Sequence, residues 1–316
     1  MNQYQCSVVI IQYNPNWEKL KATLNSIVCQ KDCNYEIIVT DDGSKCTCFD
    51  KVREYFEENN FKNFQLVENK TNAGTVKNVI SGIKVAQGKY VRVIAPGDML
   101  YSDTTLHRIV DFMDEHHAKE VFGKMVFYEY KNGKVNLIPN QVPFALRPYK
   151  KKNTKSIKKH LLVLGDNISG ASYTWDREYY LECLMRIHDK VIYLEDCVNA
   201  YTVYDRHNIC FMDEYVTWYE YGMGISTSKN NKWTAILIKD WIAFLEEMNK
   251  RYPNESNIKK AKLYYQMSQS GKILNKIVKN LLFLERYLFG RFAPKMVKDK
   301  AYGLIEKESV LRFFDM

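Results

Sequence analysis

Short apolar runs alternate with longer segments of helical spacing through the first part of the chain. Four runs have the composition of strands buried on both faces, at residues 7–12, 35–40, 64–68 and 90–94. The segments that follow them repeat apolar residues every three to four positions and predict helices over residues 16–28, 50–58, 75–86 and 104–116. Strands and helices in alternation, with short connections, predict parallel strands joined by right-handed crossovers. We therefore expect an α/β fold with a Rossmann-like, mostly parallel sheet flanked by helices.

The pattern changes after about residue 121. Residues 121–130 and 135–138 flank an Asn132-Gly133 pair and predict a β-hairpin. Residues 147–159 predict an exposed basic loop, residues 166–180 lead into a helix, and residues 191–194 predict a short strand. From about residue 233 the pattern is helical. The sequence thus predicts one domain over residues 1–230 and a helical region over residues 231–316 that contacts an acceptor, a membrane or a partner.

Two adjacent carboxylates, Asp41 and Asp42, directly follow the second predicted strand. Ligands of parallel sheets bind at the carboxyl ends of the strands, and a carboxylate there can accept hydrogen bonds from a nucleobase or a ribose hydroxyl. The alternative is an ordinary polar turn, since Asp-Gly favours turns.

The segment from Asn72 to Thr75 follows the third strand and begins a helix. Gly74 permits a tight entry, and free N–H groups at a helix start attract anions. Lys77 in the first turn opposes the helix dipole, which a phosphate partner would explain. The alternative is a solvated lysine behind an ordinary cap.

Further carboxylates follow two other predicted strands. Asp98 follows a Pro-Gly turn and could bind a divalent cation, because Mg²⁺ and Mn²⁺ favour one or two carboxylates plus phosphate oxygens. Glu195 and Asp196 follow residues 191–194, where a carboxylate could remove a proton from an attacking hydroxyl. Helix or turn capping is the alternative for each position.

The charge and cysteine content of the chain indicate what kind of partner the protein binds and in which compartment it is found. The net charge is +9, and residues 259–300 hold eleven Lys or Arg against Glu285 and Asp299, so an anionic partner is expected. Eight dispersed cysteines suit a reducing compartment. We see neither a signal peptide nor a membrane-spanning stretch. These features predict a cytoplasmic protein, with the inner face of the membrane as a second location.

The order of these motifs resembles glycosyltransferase family 2, which has the GT-A fold. The similarity covers roughly residues 5–230. It runs through CSVVIIQYNPNWEKLKATLNSIVCQ, YEIIVTDDGS, NAGTVKNVISGIKVAQGKYVRVIAPGDML, ISGASYTWDREYY, YLEDCVNAY and WYEYGMGISTS.

The resemblance implies roles for particular residues in binding the donor and acceptor. Those expected near the nucleotide and its phosphates are Tyr13, Asn14, Pro15, Asp41, Asp42, Asn72, Gly74 and Lys77. Gly170 and Ala171 would flank the sugar and acceptor pocket, near Trp175 and Asp176. Residues 222–228 resemble a mobile segment that closes over the diphosphate.

The resemblance also implies a metal site and a catalytic base. Asp98 would be the surviving acid of the family's DxD motif, because Ala95 stands where the first acid is usual. It would hold Mn²⁺ or Mg²⁺ with help from His207. Asp196 would be the general base, with Glu195 beside it.

The sequence therefore predicts an inverting glycosyltransferase of a bacterial surface-polysaccharide or glycoprotein type. The predicted donor is UDP-galactose or UDP-glucose, with UDP-N-acetylglucosamine open, and the acceptor is a hydroxyl of a glycan or glycoprotein. The main alternative is a non-catalytic nucleotide-sugar or glycan-binding subunit. A nucleotidyltransferase lacks support because no glycine-rich basic loop follows the first strand, and we expect no nucleic-acid partner. A dehydrogenase would need G-x-G-x-x-G there.

The C-terminal helices leave three interpretations open, one of which is a surface that docks a large acceptor such as a glycan or glycoprotein. Apolar residues recur from Ile273 through Ile277, Leu281 and Leu284 to Leu288, with basic residues around them. Such a helix can lie on an anionic membrane as a peripheral contact, or pack on the first domain with its lysines in water.

Overall fold

A computed structural model describes residues 2–222, 224, 231–269, 273–298, 305 and 307–315. Its strands are β1 (Tyr4–Gln12), β2 (Tyr35–Asp41), β3 (Phe64–Glu68), β4 (Gly88–Ile94), β5 (Met99–Leu100), β6 (Glu120–Lys131), β7 (Lys134–Leu137), β8 (Tyr173–Asp176) and β9 (Ile209–Glu220). Its helices in the first domain are α1 (Trp17–Val28), α2 (Phe49–Glu58), α3 (Thr75–Val85), α4 (Thr105–Glu115), α5 (Arg147–Lys150), α6 (Thr154–Lys158), α7 (Arg177–Met185) and α8 (Asn199–Tyr204). The remaining helices are α9 (Asn231–Arg251), α10 (Ser256–Gln269), α11 (Ile273–Leu282), α12 (Leu284–Lys298) and α13 (Arg312–Asp315).

One mixed sheet connects all the described strands, in the order β3-β2-β1-β4-β8-β6-β9-β5, with β7 paired to β6. The strands β3, β2, β1 and β4 are parallel, as predicted. Beyond β4 the sheet changes character, because β8 is antiparallel to both of its neighbours while β6 and β9 are parallel. The parallel half is thus confirmed, and the other half is more mixed than the sequence predicted.

The parallel half of the sheet could be predicted from the sequence because its strands are buried on both faces. All seven residues of β2 are buried, because helices cover both faces of this part of the sheet. On α1, Leu20, Leu24 and Ile27 are fully buried, and the side chain of Asn16 caps the helix by accepting from the main-chain N–H of Lys19. The predicted β-hairpin is also present as β6 and β7.

Two element predictions are wrong. Residues 147–159 are helical rather than a loop: α5 and α6 lead into a π-helical turn at Lys159–Leu164. Tyr149 and Ile157 are buried there, so the apolar residues between the lysines anchor helices to the core. Residues 191–194 form no strand and lead into a 3₁₀ turn at Glu195–Val198. The sequence analysis also assigned no element to β9.

The C-terminal helices begin within the main core. Phe244, Leu245 and Met248 of α9 belong to the same buried cluster as Val9 and Trp175 of the sheet. The chain end returns to α1, where the side-chain amide of Asn25 donates to the carbonyl of Phe313 at 2.7 Å. The domain boundary at residue 230 stays a prediction. The described helices include no candidate for a membrane span. All eight cysteines are free thiols.

Candidate active site

A cavity of about 310 Å³ lies at the carboxyl ends of β1 and β4. Its walls come from elements that are far apart in sequence. The lining residues are Ile11, Thr75, Val93, Ile94, Ala95, Pro96, Asp98, Ser169, Gly170, Ala171, Tyr193, Leu194, Glu195, Asp196, Tyr219, Glu220, Gly224 and Leu237. The structure therefore brings together five of the predicted site residues, namely Asp98, Gly170, Ala171, Glu195 and Asp196.

Asp98 is one of four carboxylates in this cavity, and it is 7 % exposed. The main-chain N–H of Glu220 donates to its Oδ1 at 3.0 Å. Burial, with a contribution from the nearby Glu220 charge, raises the pKa of Asp98 to about 8, against the hydrogen bond from the Glu220 N–H and the charges of Arg92 and Lys19. Asp98 is thus a carboxyl group whose ionisation a bound cation would favour.

Glu220 ends β9 and is the site residue that the sequence analysis missed. Its Oε1 accepts from Nζ of Lys19 at 2.7 Å, and its side chain is 6 % exposed. Its Oε2 is buried and has no hydrogen-bond partner among the described residues. Because β9 was not predicted, no sequence signal placed Glu220 beside Asp98.

The donor atoms at this end of the cavity fit a divalent cation. Mg²⁺ and Mn²⁺ are commonly held by one or two carboxylates, with substrate phosphate oxygens and water completing the shell. Asp98 and the unpartnered Oε2 of Glu220 supply such oxygens. The described part of the chain contains no cluster of three or more potential metal ligands, so a cation here would depend on oxygens of a bound substrate.

Glu195 and Asp196 form the second carboxylate pair, on the 3₁₀ turn after Leu194. Both are half-buried and line the cavity. Burial raises the pKa of Asp196 to about 6, against hydrogen bonds from main-chain N–H groups that include Gly170. The pKa of Glu195 lies well above its usual value because of burial and the adjacent Asp196 charge. Asp196, whose pKa lies near 6, can therefore act as a base at neutral pH.

Contacts from Asp240 and Gly170 hold this turn in place. The carboxylate of Asp240 accepts from the main-chain N–H groups of Ile192 and Tyr193, at 3.2 and 2.7 Å, just before the pair. Gly170 packs so closely that an added Cβ would lie 2.9 Å from Oε1 of Glu195. The position of the acids is thus fixed from α9 and from residue 170.

Arg92 stabilises the cavity wall at residues 170–173, and it was not among the residues predicted from the sequence. It is fully buried on β4, and its guanidinium donates to the carbonyls of Ala171 at 2.8 Å and Tyr173 at 3.1 Å. It also donates to the hydroxyls of Thr174 and Thr217. Burial lowers the pKa of Arg92 to about 10. This arginine fixes the turn that carries Gly170 and Ala171.

The carboxylates of Asp41 and Asp42 accept hydrogen bonds from nearby main-chain N–H groups of the protein. Asp41 is fully buried and accepts from the Ser44 main-chain N–H and hydroxyl, both at 2.7 Å, and from the side-chain amide of Gln12. Asp42 accepts from the main-chain N–H groups of Ala73 and Gly74, both at 2.9 Å. The turn interpretation therefore accounts for the hydrogen bonds of Asp41, and neither acid lines the cavity.

The start of α3 differs from the prediction of an open anion site. The N–H of Gly74 binds Asp42, and the N–H of Val76 donates to the carbonyl of Ile192 at 3.0 Å. Gly74 has a φ of +89°, and an added Cβ would clash with Ile192. This glycine is needed for packing, and its N–H is already occupied.

The other residues predicted for the nucleotide lie outside the cavity lining. Tyr13 is 54 % exposed, and Asn14, Asn72 and Lys77 are also exposed. Asn14 braces the Asp41 turn: its main-chain N–H donates to Oγ of Ser44 at 2.6 Å. Pro15 is half-buried beside it. Their nucleotide roles stay predictions.

Three further candidates are not brought to the cavity. Trp175 is fully buried and stacks on Tyr180 with ring centroids 4.8 Å apart. Asp176 caps α7 through the Tyr179 N–H at 3.0 Å and pairs with Lys119. His207 is exposed and its ring meets that of Tyr179 edge-on at 5.0 Å. These neighbours account for the position of each side chain, and the sugar and metal roles of the three residues stay predictions.

The predicted mobile segment, residues 222–228, lies mostly outside the described residues. Of its members, Gly222 and Gly224 are described, and Gly224 lines the cavity.

Comparison with known proteins gives a family and two sets of relatives. A family model described as glycosyl transferase family 2 matches residues 7–179. Poly(ribitol-phosphate) beta-N-acetylglucosaminyltransferase TarS from Staphylococcus aureus strains Mu50 and MW2 is 27 % identical over 177 residues. That match covers 52 % of this chain and 30 % of the relative, so the chain spans under a third of the relatives' length.

Solved structures of S. aureus TarS share the fold. One aligns with a TM-score of 0.55 at 16 % identity, covering 89 % of this chain and 49 % of that chain. TarS 1–349 in complex with UDP-GlcNAc aligns with a TM-score of 0.51 at 16 % identity, covering 98 % and 90 %.

Proposed function

The chain belongs to glycosyl transferase family 2, and from this membership we propose that it transfers a sugar from a UDP-sugar to a hydroxyl of a glycan or glycoprotein, with inversion. The observation that carries the proposal is the shared cavity of Asp98, Glu220, Glu195 and Asp196. One pair suits a cation and a diphosphate, and the other suits proton removal from an acceptor. The matched relatives are named as N-acetylglucosaminyltransferases, so UDP-GlcNAc is the first donor to test, beside UDP-glucose and UDP-galactose.

Asp196 is the proposed general base. Its raised pKa, about 6, leaves it ionised at neutral pH yet more basic than an ordinary carboxylate. The acceptor O–H proton passes to Asp196 as the oxygen bonds to the anomeric carbon. The bond from that carbon to the diphosphate breaks, and UDP leaves with its electron pair. Burial and the adjacent Asp196 charge raise the pKa of Glu195 beside it.

Asp98 and Glu220 are the proposed holders of a divalent cation, Mn²⁺ or Mg²⁺. When bound, such a cation supplies positive charge to the leaving diphosphate. Lys19 supports this end of the cavity through its 2.7 Å ion pair with Glu220. Arg92 supports the opposite wall, because its bonds to Ala171 and Tyr173 keep residues 170–172 in place.

The test measures donor binding and UDP release separately. Melting temperature is recorded with each UDP-sugar and Mn²⁺, because a ligand of the folded state raises it. UDP release is then followed with and without candidate acceptors. We expect Asp196→Asn to abolish release and to keep the thermal shift. Asp189→Asn, at an acid 73 % exposed, is the matched control. Absence of any shift with all three donors would overturn the proposal.

A non-catalytic binding subunit is the second candidate. The feature that favours it is Ala95 in place of the first acid of the DxD motif. Donor binding without UDP release, unchanged by Asp196→Asn, is the result that would support it.

A further inference from the structure

The C-terminal helices α11 and α12 expose several large apolar side chains. The members, here called the lipid face, are Ile277, Leu281, Leu282, Leu284, Leu288 and Phe292, with exposed fractions of 55, 69, 64, 49, 42 and 52 %. Scattered apolar residues on a surface are normal, but contiguous ones mark contact sites. On α12, Leu284, Leu288 and Phe292 follow one another at four-residue spacing and lie on one side of the helix.

The opposite side of the two helices is packed on the protein. Phe283 is buried, and its ring meets that of Tyr264 at 5.3 Å. The Arg286 guanidinium lies 3.9 Å from the Tyr264 ring centroid and donates to the carbonyls of Leu162 and Val163. The packing interpretation is therefore correct for this side, and it leaves the lipid face pointing outward.

Charge beside the lipid face is basic. Lys276, Arg291 and Lys295 are exposed. The single acid of α11 and α12, Glu285, forms an ion pair with Lys159. Exposed apolar side chains together with exposed cations on the same helices are typical of helices that lie in the plane of a membrane interface.

From this arrangement we propose that the lipid face docks on an anionic lipid surface. A second copy of the chain is a poorer occupant, because a two-fold interface would set Lys276, Arg291 and Lys295 near their own counterparts. A nucleic acid would use the cations but would leave six apolar side chains in water. The lipid surface satisfies both features.

Helix α12, which carries part of the lipid face, also contacts the segment that leads to the cavity. Arg286 lies against Gly165, where an added Cβ would approach within 2.7 Å of its Cζ. Ser169 and Gly170, which line the cavity, follow shortly along the chain. A membrane bound at the lipid face would thus hold the cavity at a fixed position relative to the bilayer. The lipid contact itself does not depend on the proposed function.

Vesicle flotation of the full chain tests the proposal. The probes are vesicles of phosphatidylcholine alone and of phosphatidylcholine mixed with phosphatidylglycerol. We expect the wild type to float with the mixed vesicles, and the double variant Leu281→Asn, Leu288→Asn to lose at least about 10-fold in apparent affinity. The triple variant Lys276→Gln, Arg291→Gln, Lys295→Gln should lose affinity and most of the salt dependence.

Leu263→Asn is the matched control, because Leu263 is 48 % exposed on α10 and outside the lipid face. Circular dichroism and the melting temperature check that every variant folds. The proposal is overturned if the wild type stays unbound to anionic vesicles, or if folded variants of the lipid face float like the wild type. It is also overturned if sedimentation without lipid shows that the wild type is a dimer and that the variants of the lipid face are monomers.

Discussion

The main-chain N–H of Glu220 donates to Oδ1 of Asp98 at 3.0 Å across 122 positions of sequence. This bond joins the end of β9 to the loop after β4, and it places the two side chains in one cavity. Glu220 therefore stands near Asp98 even though Ala95 occupies the place of the first DxD acid. The pair, rather than a contiguous motif, is the proposed cation site.

Glu220→Gln tests this pair while keeping the main-chain bond to Asp98. Loss of the carboxylate should weaken Mn²⁺-dependent UDP binding about 10-fold, or about 1.4 kcal/mol. Isothermal titration of UDP with and without Mn²⁺ measures the change. Glu214→Gln, on the same strand but 45 % exposed, should bind as the wild type does. Equal affinities for both variants would remove Glu220 from the cation site.

Asp98→Asn should stabilise the cation-free protein, most strongly at high pH. Burial raises the pKa of Asp98 in the folded state to about 8, so the folded state holds a proton that the unfolded state releases. Stability is therefore lost as pH rises from about 4 to about 8, and the full cost, on the order of several kcal/mol, is present above pH 8. The variant carries no such cost.

Urea unfolding at pH 5 and pH 9 with a chelator measures the difference between variant and wild type. The gain should be larger at pH 9. Asp50→Asn, at an acid 95 % exposed, should show no such trend. A variant less stable than the wild type at pH 9 would contradict the assigned burial of an unpaired charge.

The rate of sugar transfer should fall on the acid side with an apparent pKa near 6. Asp196 must be ionised to accept the proton, and burial raises its pKa to about 6. Below that value kcat/KM should drop about tenfold per pH unit, while donor affinity changes less. A pH profile of initial rates measures this limb. If kcat/KM instead fell with an apparent pKa near 4, the base would be an ordinary exposed carboxylate and not Asp196.

Gly170→Ala should reduce turnover with little loss of stability. The new Cβ would lie 2.9 Å from Oε1 of Glu195, so the acid pair must shift. A displacement of this kind costs about 10- to 100-fold in kcat. Gly290→Ala, which meets no atom within 4 Å, is the control for activity. Unchanged kcat in Gly170→Ala would show that the position of Glu195 is unimportant.

The sequence predicted what local pattern determines. The continuous apolar run of β2 identified a strand covered on both faces, and its end identified the edge where ligands bind. Asp98, Glu195 and Asp196 were found because each follows a readable apolar segment. Residues 191–194 were apolar enough to suggest a strand, although the carboxylate of Asp240 holds them in an irregular path instead.

The site residues that the sequence did not predict are positioned by strands that pair although they lie far apart in sequence. Glu220 reaches the cavity only because β9 pairs with β6 in parallel register, with Tyr128 opposite Glu220. Arg92 lies within an apolar strand, and its partners at residues 171, 173, 174 and 217 come from the far half of the sheet. Trp175 has the residue type of a sugar platform, but whether it faces a cavity or Tyr180 is decided by packing.

The bonds from Ala73 and Gly74 to Asp42 have a consequence for the reaction. The carboxylate of Asp42 sits as a resident anion at the positive end of the α3 dipole. A pyrophosphate entering the cleft therefore finds that pole already neutralised by the protein. In the proposed reaction, a cation held by Asp98 and Glu220 would supply the positive charge that the departing UDP requires, because the α3 terminus already faces Asp42.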